Sequence, residues 1–257
     1  MTKAKSICFY SPKGGVGKTV LAMNVAGLLS MKKKKVLLID FDVFNGGLSM
    51  LINDNITKTI YQLTDDLSNN RFRNIKDYVH KYNEYIDILC APKDPRQGSK
   101  VDSRYIDIIL EKSSLNYDFL IIDTSSVLDE VNLVTLDTAS TIFFVTTNDL
   151  MSLKNLRNVI SIFKDIENDN YKVILNGSFD FKYPYFSLSE MKKIIGANID
   201  YSLSNAFFIR DISKLIYDNK IPVLDNSVYK KYKNEINKLE LLVNEELIEK
   251  GDANEKK

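Results

Sequence analysis

The chain has 257 residues, long enough for one α/β domain, and its 44% hydrophobic and 27% charged residues exclude a disordered tail. Lys+Arg at 35 against Asp+Glu at 34 gives a net charge of +1, which disfavours a dedicated nucleic-acid protein. Two cysteines, Cys8 and Cys90, cannot build a disulfide framework or a four-cysteine metal site; with no signal-peptide run and no stretch of ~18 apolar residues, a reducing, cytoplasmic setting is expected.

The first predicted strand, 6–10, runs into SPKGGVGKT and then into a predicted helix, 18–31. Strand, glycine-rich loop and helix in that order are the context of a phosphate-binding P-loop. Gly14, Gly15 and Gly17 let the backbone curl, so that the N–H groups of Gly14, Gly15, Val16, Gly17, Lys18 and Thr19 can cradle phosphate oxygens at a helix N-terminus. Lys18 is placed to reach the β- and γ-phosphates, and the Thr19 hydroxyl to ligate Mg²⁺.

A second predicted strand, 36–41, ends in IDFDVFNGG, so Asp40 and Asp42 fall at a strand's carboxyl end, where α/β proteins bind ligands. Asp40 is also placed to cap the turn that follows. Further strands are predicted at 86–90, 119–123, 141–146, 172–176 and 199–203, and helices at 103–113, 152–166, 187–195, 209–218 and 228–250. VLLID, FLIID and IFFVTT are continuous apolar runs, the pattern of strands buried on both faces. Alternation of such strands with helices predicts one α/β domain over 1–250, a doubly wound, mostly parallel sheet flanked by helices, with 251–257 as a frayed tail.

FLIID resembles a Walker B strand, with Asp123 at its end placed to hold the Mg²⁺ shell. KVILNG ends a strand on Asn176, a turn former whose amide also has the donor and acceptor to read adenine. The aromatic run 179–186 is expected to pack a loop or to form a partner surface, and both cysteines to be buried small hydrophobes.

A lysine two places before Gly15, at Lys13, departs from the common P-loop pattern and resembles the deviant Walker A motif of the ParA/MinD family of ATPases. The order P-loop, IDFD, Walker B and Asn176 is similar to that family over about residues 5–225. The resemblance implies ATP or ADP with Mg²⁺ as ligands and an ATP-bound homodimer in which Lys13 reaches the partner's phosphates. It implies that Asp42 orients the attacking water, that Asp40 and Asp123 lie near Mg²⁺ with Thr19, and that Asn176 and the segment ending at Pro222 bind adenine. The family's switch II usually carries Pro and Gly where this chain reads Asp123-Thr124-Ser125-Ser126-Val127, which predicts slow unaided hydrolysis. Several intervening stretches, such as IDILCAPKDPRQGSKV, are most similar to the CpaE/TadZ branch, implying a role in positioning Tad/Flp-type pilus or secretion machinery at a cell pole or the inner membrane face. Two other outcomes stay open: a nucleotide-binding scaffold with little turnover, and a partition ATPase that binds DNA non-specifically.

Overall fold

The computed structural model describes residues 3–52, 56–177, 185–204 and 210–255. Its strands are β1 Lys5–Tyr10, β2 Val36–Phe41, β3 His80–Lys81, β4 Ile86–Leu89, β5 Phe119–Thr124, β6 Thr141–Thr146, β7 Tyr171–Asn176 and β8 Tyr201–Leu203. Its helices are α1 Lys18–Met31, α2 Ile60–Ser68, α3 Pro95–Gly98, α4 Ile106–Ser114, α5 Glu130–Thr138, α6 Leu150–Asp165, α7 Leu188–Ile195, α8 Arg210–Tyr217, α9 Asn226–Lys231 and α10 Lys233–Glu255.

Every residue of β2, β5 and β6 is buried, as their unbroken apolar sequences require. The eight strands form one sheet in the order β3-β4-β2-β5-β1-β6-β7-β8. β3 pairs antiparallel with β4, and the other pairings are parallel. The expected doubly wound α/β architecture is therefore present. Successive strand residues point to opposite faces. Cys8, Tyr10, Leu37, Ile39 and Ile122 join one core layer, under α2, α4, α5, α6 and α7. Ile7, Phe9, Leu38, Phe119 and Ile121 join the other, under α1, α8 and α10. Cys8 and Cys90 are free and buried, as expected.

β1 lies between β5 and β6, and the chain leaves it through α1 to reach β2 beyond β5. That change of direction opens a crevice at the carboxyl ends of these strands, where the glycine-rich loop sits. α1 is buried on almost every side, with the sheet, α10 and a 3-10 turn, Pro222–Leu224, all packed on it. Gly27 permits that closeness: a Cβ there would lie 2.5 Å from Val223 Cγ2 and 2.9 Å from Ile221 Cγ2. One turn earlier, buried Asn24 accepts the Val223 N–H through Oδ1 at 3.0 Å and donates through Nδ2 to the Val20 carbonyl at 2.8 Å.

The C-terminal region differs from the single helix expected over 228–250. Tyr232 interrupts it, giving α9 and α10, and α10 is described as far as Glu255. The Glu246 side chain is fully buried and receives Lys5 Nζ at 2.7 Å, Lys172 Nζ at 3.2 Å and the Thr141 hydroxyl at 3.0 Å. These partners belong to β1, β7 and β6, so one carboxylate pins α10 across three adjacent strands.

α2, α5 and the short β3 are absent from the elements predicted above. α2 begins with a capping box in which Thr59 and Gln62 satisfy each other's backbone N–H groups. Residues 179–184 of the aromatic run, and residue 209 at the start of a predicted helix, lie outside the described residues. Phe186 is described, and its backbone exchanges two hydrogen bonds with the Asn148 amide at 2.9 and 3.1 Å. Among the described residues, no helix is long and apolar enough to cross a membrane.

Candidate functional site

The loop between β1 and α1 turns on two glycines, Gly15 with φ of 73° and Gly17 with φ of 96°. These lie in the left-handed region that side chains other than glycine rarely enter. Gly17 is the N-cap of α1, so Lys18 and Thr19 open the helix where its partial positive charge is concentrated. The Val16 side chain is buried, and its carbonyl accepts from Asn176 Nδ2 at 2.7 Å. Asn176 thus supports the loop from below, and its Oδ1 is buried without a hydrogen-bond partner.

An open cleft of about 440 Å³ lies over the loop, lined among others by Gly14, Lys18, Thr19, Asp42, Thr124 and Ser126. Asn176 and Pro222 do not line it. Lys18 is only 8% exposed. Burial lowers the pKa of its ammonium, and the charges of Asp123 and Asp42 work against that.

Beneath the cleft, parallel pairing sets Asp40 of β2 directly beside Asp123 of β5. Burial pushes the Asp123 carboxyl up to about 7, against the pull of the Thr19 hydroxyl and of Lys18. Asp40 is raised as well, first by burial and then by Asp123. Asp40 caps the turn that follows β2. Its Oδ1 accepts the Asp42 N–H at 3.2 Å and its Oδ2 the Leu48 N–H at 3.0 Å, so it shapes the loop that carries Asp42. Asp42 Oδ1 in turn accepts the Asn45 N–H at 3.2 Å.

A divalent cation fits this arrangement. Asp123 Oδ1 is buried and unpartnered, and Thr19 supplies a neighbouring hydroxyl. The described residues hold no group of three or more His, Cys, Asp or Glu able to bind a metal. The remaining ligands would be phosphate oxygens and water, which is how Mg²⁺ is commonly held.

Lys13 does not point into the cleft. Its Nζ lies 2.8 Å from Asp149 Oδ2. Asp149 is the N-cap of α6, accepting the Ser152 N–H at 3.0 Å, and it also accepts from the Thr147 hydroxyl at 2.6 Å. The sequence reading did not single out Asp149, although it follows β6 much as Asp42 follows β2. Nor did it single out Asn132, and it named Ser126 only as part of the run Asp123–Val127; their arrangement is set out below.

The family model described as an AAA domain matches residues 4–176. An uncharacterised ATP-binding protein of Methanocaldococcus jannaschii is 33% identical over 199 residues, covering 75% of this chain and 72% of that protein. The chromosome partitioning protein ParA of Myxococcus xanthus is 31% identical, covering 70% of this chain and 66% of that protein, just under two thirds of its length. Among solved structures, the septum site-determining protein MinD of Pyrococcus horikoshii, complexed with Mg-ADP, superposes with a TM-score of 0.77 at 19% identity, covering 93% of this chain and 96% of that one. The glycine loop on β1, the paired strand-end aspartates and these relatives agree: the chain belongs to the ParA/MinD family of P-loop ATPases.

Proposed function

We propose that this protein is an ATP-dependent dimerising switch, working as one unit over residues 1–250, that positions a cellular assembly. Mg·ATP would rest on the backbone of 14–19, with Lys18 on the phosphates, Thr19 and Asp123 serving the cation, and Asp40 close beside it. The observation that carries this reading is the buried Lys18 on the cleft over the glycine loop, its ammonium within the field of Asp123 and Asp42, because a buried cation near an unpartnered carboxylate oxygen suits a phosphate–metal pair. The relative named as an ATP-binding protein and the MinD structure holding Mg-ADP support the choice of ligand. Asp42, on the loop shaped by Asp40, would orient water for in-line attack on the γ-phosphorus, releasing ADP and phosphate. Asn176 and Pro222 flank the adenine end, Asn176 with its free Oδ1 and Pro222 in the turn packed on α1. Lys13 would leave Asp149 and reach the nucleotide of a second copy. The stretches similar to the CpaE/TadZ branch favour pilus or secretion machinery as cargo, with the protein acting in the cytoplasm and recruited to a pole or to the inner membrane face.

The test is titration with Mg·ATP and Mg·ADP, combined with light scattering. The parent should bind both nucleotides and double its mass with ATP alone. Lys18→Ala removes a charge-assisted contact of about 1.5–3 kcal/mol, so affinity should fall roughly 10- to 150-fold. Unchanged affinity in that variant would falsify the site, and an unchanged mass with ATP would remove the switch.

A second reading draws on the Myxococcus relative's name, which ties that protein to chromosome partitioning. If this chain shares that role, its ATP-bound form should bind random DNA with a steep salt dependence. The near-zero net charge argues against it.

A further inference from the structure

The turn after β5 carries a hydroxyl group with no assigned role. Asn132, fully buried on the first turn of α5, uses both hydrogens of Nδ2: one goes to Ser125 Oγ at 2.7 Å and one to the Val127 carbonyl at 2.7 Å. Ser125 Oγ also accepts the Val127 N–H at 3.1 Å. Asp129 caps α5 by accepting the Asn132 N–H at 2.9 Å, so the end of the helix that carries this brace is itself fixed. On the strand side, the Thr124 hydroxyl donates to the Phe9 carbonyl at 2.7 Å, tying the turn to β1.

Ser126 stands between the two braced residues. It lines the same cleft as Lys18, Thr19 and Asp42. Its Oγ is the atom nearest the position a Cβ would take on Gly14, at 3.7 Å. Both Ser125 and Thr124 spend their hydroxyls inside the protein, whereas the Ser126 hydroxyl makes no hydrogen bond to any described residue.

We propose that Ser126 is a nucleotide contact that distinguishes triphosphate from diphosphate, its hydroxyl donating to an oxygen of the terminal phosphate. The inference rests on the nucleotide reading above. A hydrogen bond to an anionic oxygen is roughly twice as strong as a neutral one. Because Asn132 already holds the turn, little conformational freedom is lost when the contact forms. Where the family's switch II carries Pro and Gly, this chain would use a side-chain hydroxyl on a pre-set turn.

The experiment measures the affinity of a non-hydrolysable ATP analogue and of ADP, each with Mg²⁺, for the parent, Ser126→Ala and Ser126→Thr. Ser126→Ala should weaken the analogue about tenfold and leave ADP within about twofold, and Ser126→Thr, which keeps the hydroxyl, should recover most of the loss. Unaltered ADP binding also reports that the variant is folded. Equal loss for both nucleotides, or no loss for either, overturns the proposal. A parent that binds ADP but not the analogue also overturns it and leaves nucleotide binding standing. A parent that binds neither removes both readings.

Discussion

Lys13 Nζ rests 2.8 Å from Asp149 Oδ2, joining the glycine loop to the first turn of α6. Burial pulls the Asp149 carboxyl up, but Lys13, Thr147 and the Ser152 backbone outweigh it, and the group sits below its ordinary range. A depressed carboxyl stabilises the fold above its unfolded pKa and loses that contribution as pH falls through the folded value, so the pair is intact at neutral pH. Both side chains are partly exposed, which limits the pair to about 1 kcal/mol. A nucleotide phosphate can displace so weak a hold. Lys13→Ala should therefore lower Tm by no more than about 4 °C, keep nucleotide affinity and lose the ATP-dependent dimer in light scattering. Asp149→Asn keeps an acceptor for the α6 cap and removes the charge that faces Lys13. Its dimer should form at protein concentrations up to about fivefold lower, and a dimer that forms only at higher concentration would show that Asp149 supports the pairing instead.

Asp42 presents its carboxylate at the cleft from a loop that Asp40 holds at two backbone points. Isolated parent protein should hydrolyse ATP slowly, and Asp42→Ala should lower single-turnover hydrolysis about 100-fold or more and lengthen the life of the ATP-bound dimer. Nucleotide affinity should change little. Unaltered turnover in the variant would leave Asp42 as a turn residue held to Asn45.

The 2.5 Å approach of Val223 to the Cβ position of Gly27 makes that glycine a close-packing residue. Alanine would gain about 1 kcal/mol of helix propensity and lose about 1–3 kcal/mol to crowding. Gly27→Ala should lower Tm by a few degrees in thermal unfolding and weaken ATP and ADP alike, because the turn carrying Pro222 is displaced from α1. An unchanged Tm would mean that the turn shifts freely.

Burial pushes the Cys90 thiol up to about 12, and Cys8 is raised further. Neither should react with a thiol reagent at pH 8 in the folded protein, and both should react after denaturation. A thiol that titrates in native buffer would place its strand outside the core.

The sheet and the loop were readable because their signals are local. An unbroken run such as VLLID can be stable only between two layers, and GGVGKT places three glycines and a lysine within one turn of chain. α5 was not readable, because its sequence lacks a clear apolar stripe and its start depends on Asp129 capping a turn that only the fold creates. α2 was announced by the Thr59–Gln62 pair, a signal the strand-and-helix alternation passed over. Asp149 and Asn132 could not be found from spacing. Lys13 and Asp149 are 136 positions apart, and Asn132 matters through what it does to Ser125 and Val127. Asp40 shows another limit: position at a strand end suits both a cation ligand and a turn cap, and the cap becomes visible only in the fold, where the carboxylate meets the N–H groups of Asp42 and Leu48.

Glu246 reaches β1, β6 and β7 at once, which has a consequence for synthesis on the ribosome. Lys5 emerges well before Glu246. Until that carboxylate leaves the exit tunnel, Lys5 and Lys172 lack this counter-charge, and the removal of one partner from a buried ion pair typically costs about 3–5 kcal/mol. Nascent chains arrested before 246 should stay open to protease, whereas chains extended past it should resist. β1 is thus held back from its final state until translation has delivered α10, and vectorial synthesis leaves the nucleotide loop that β1 carries unfinished over the same interval.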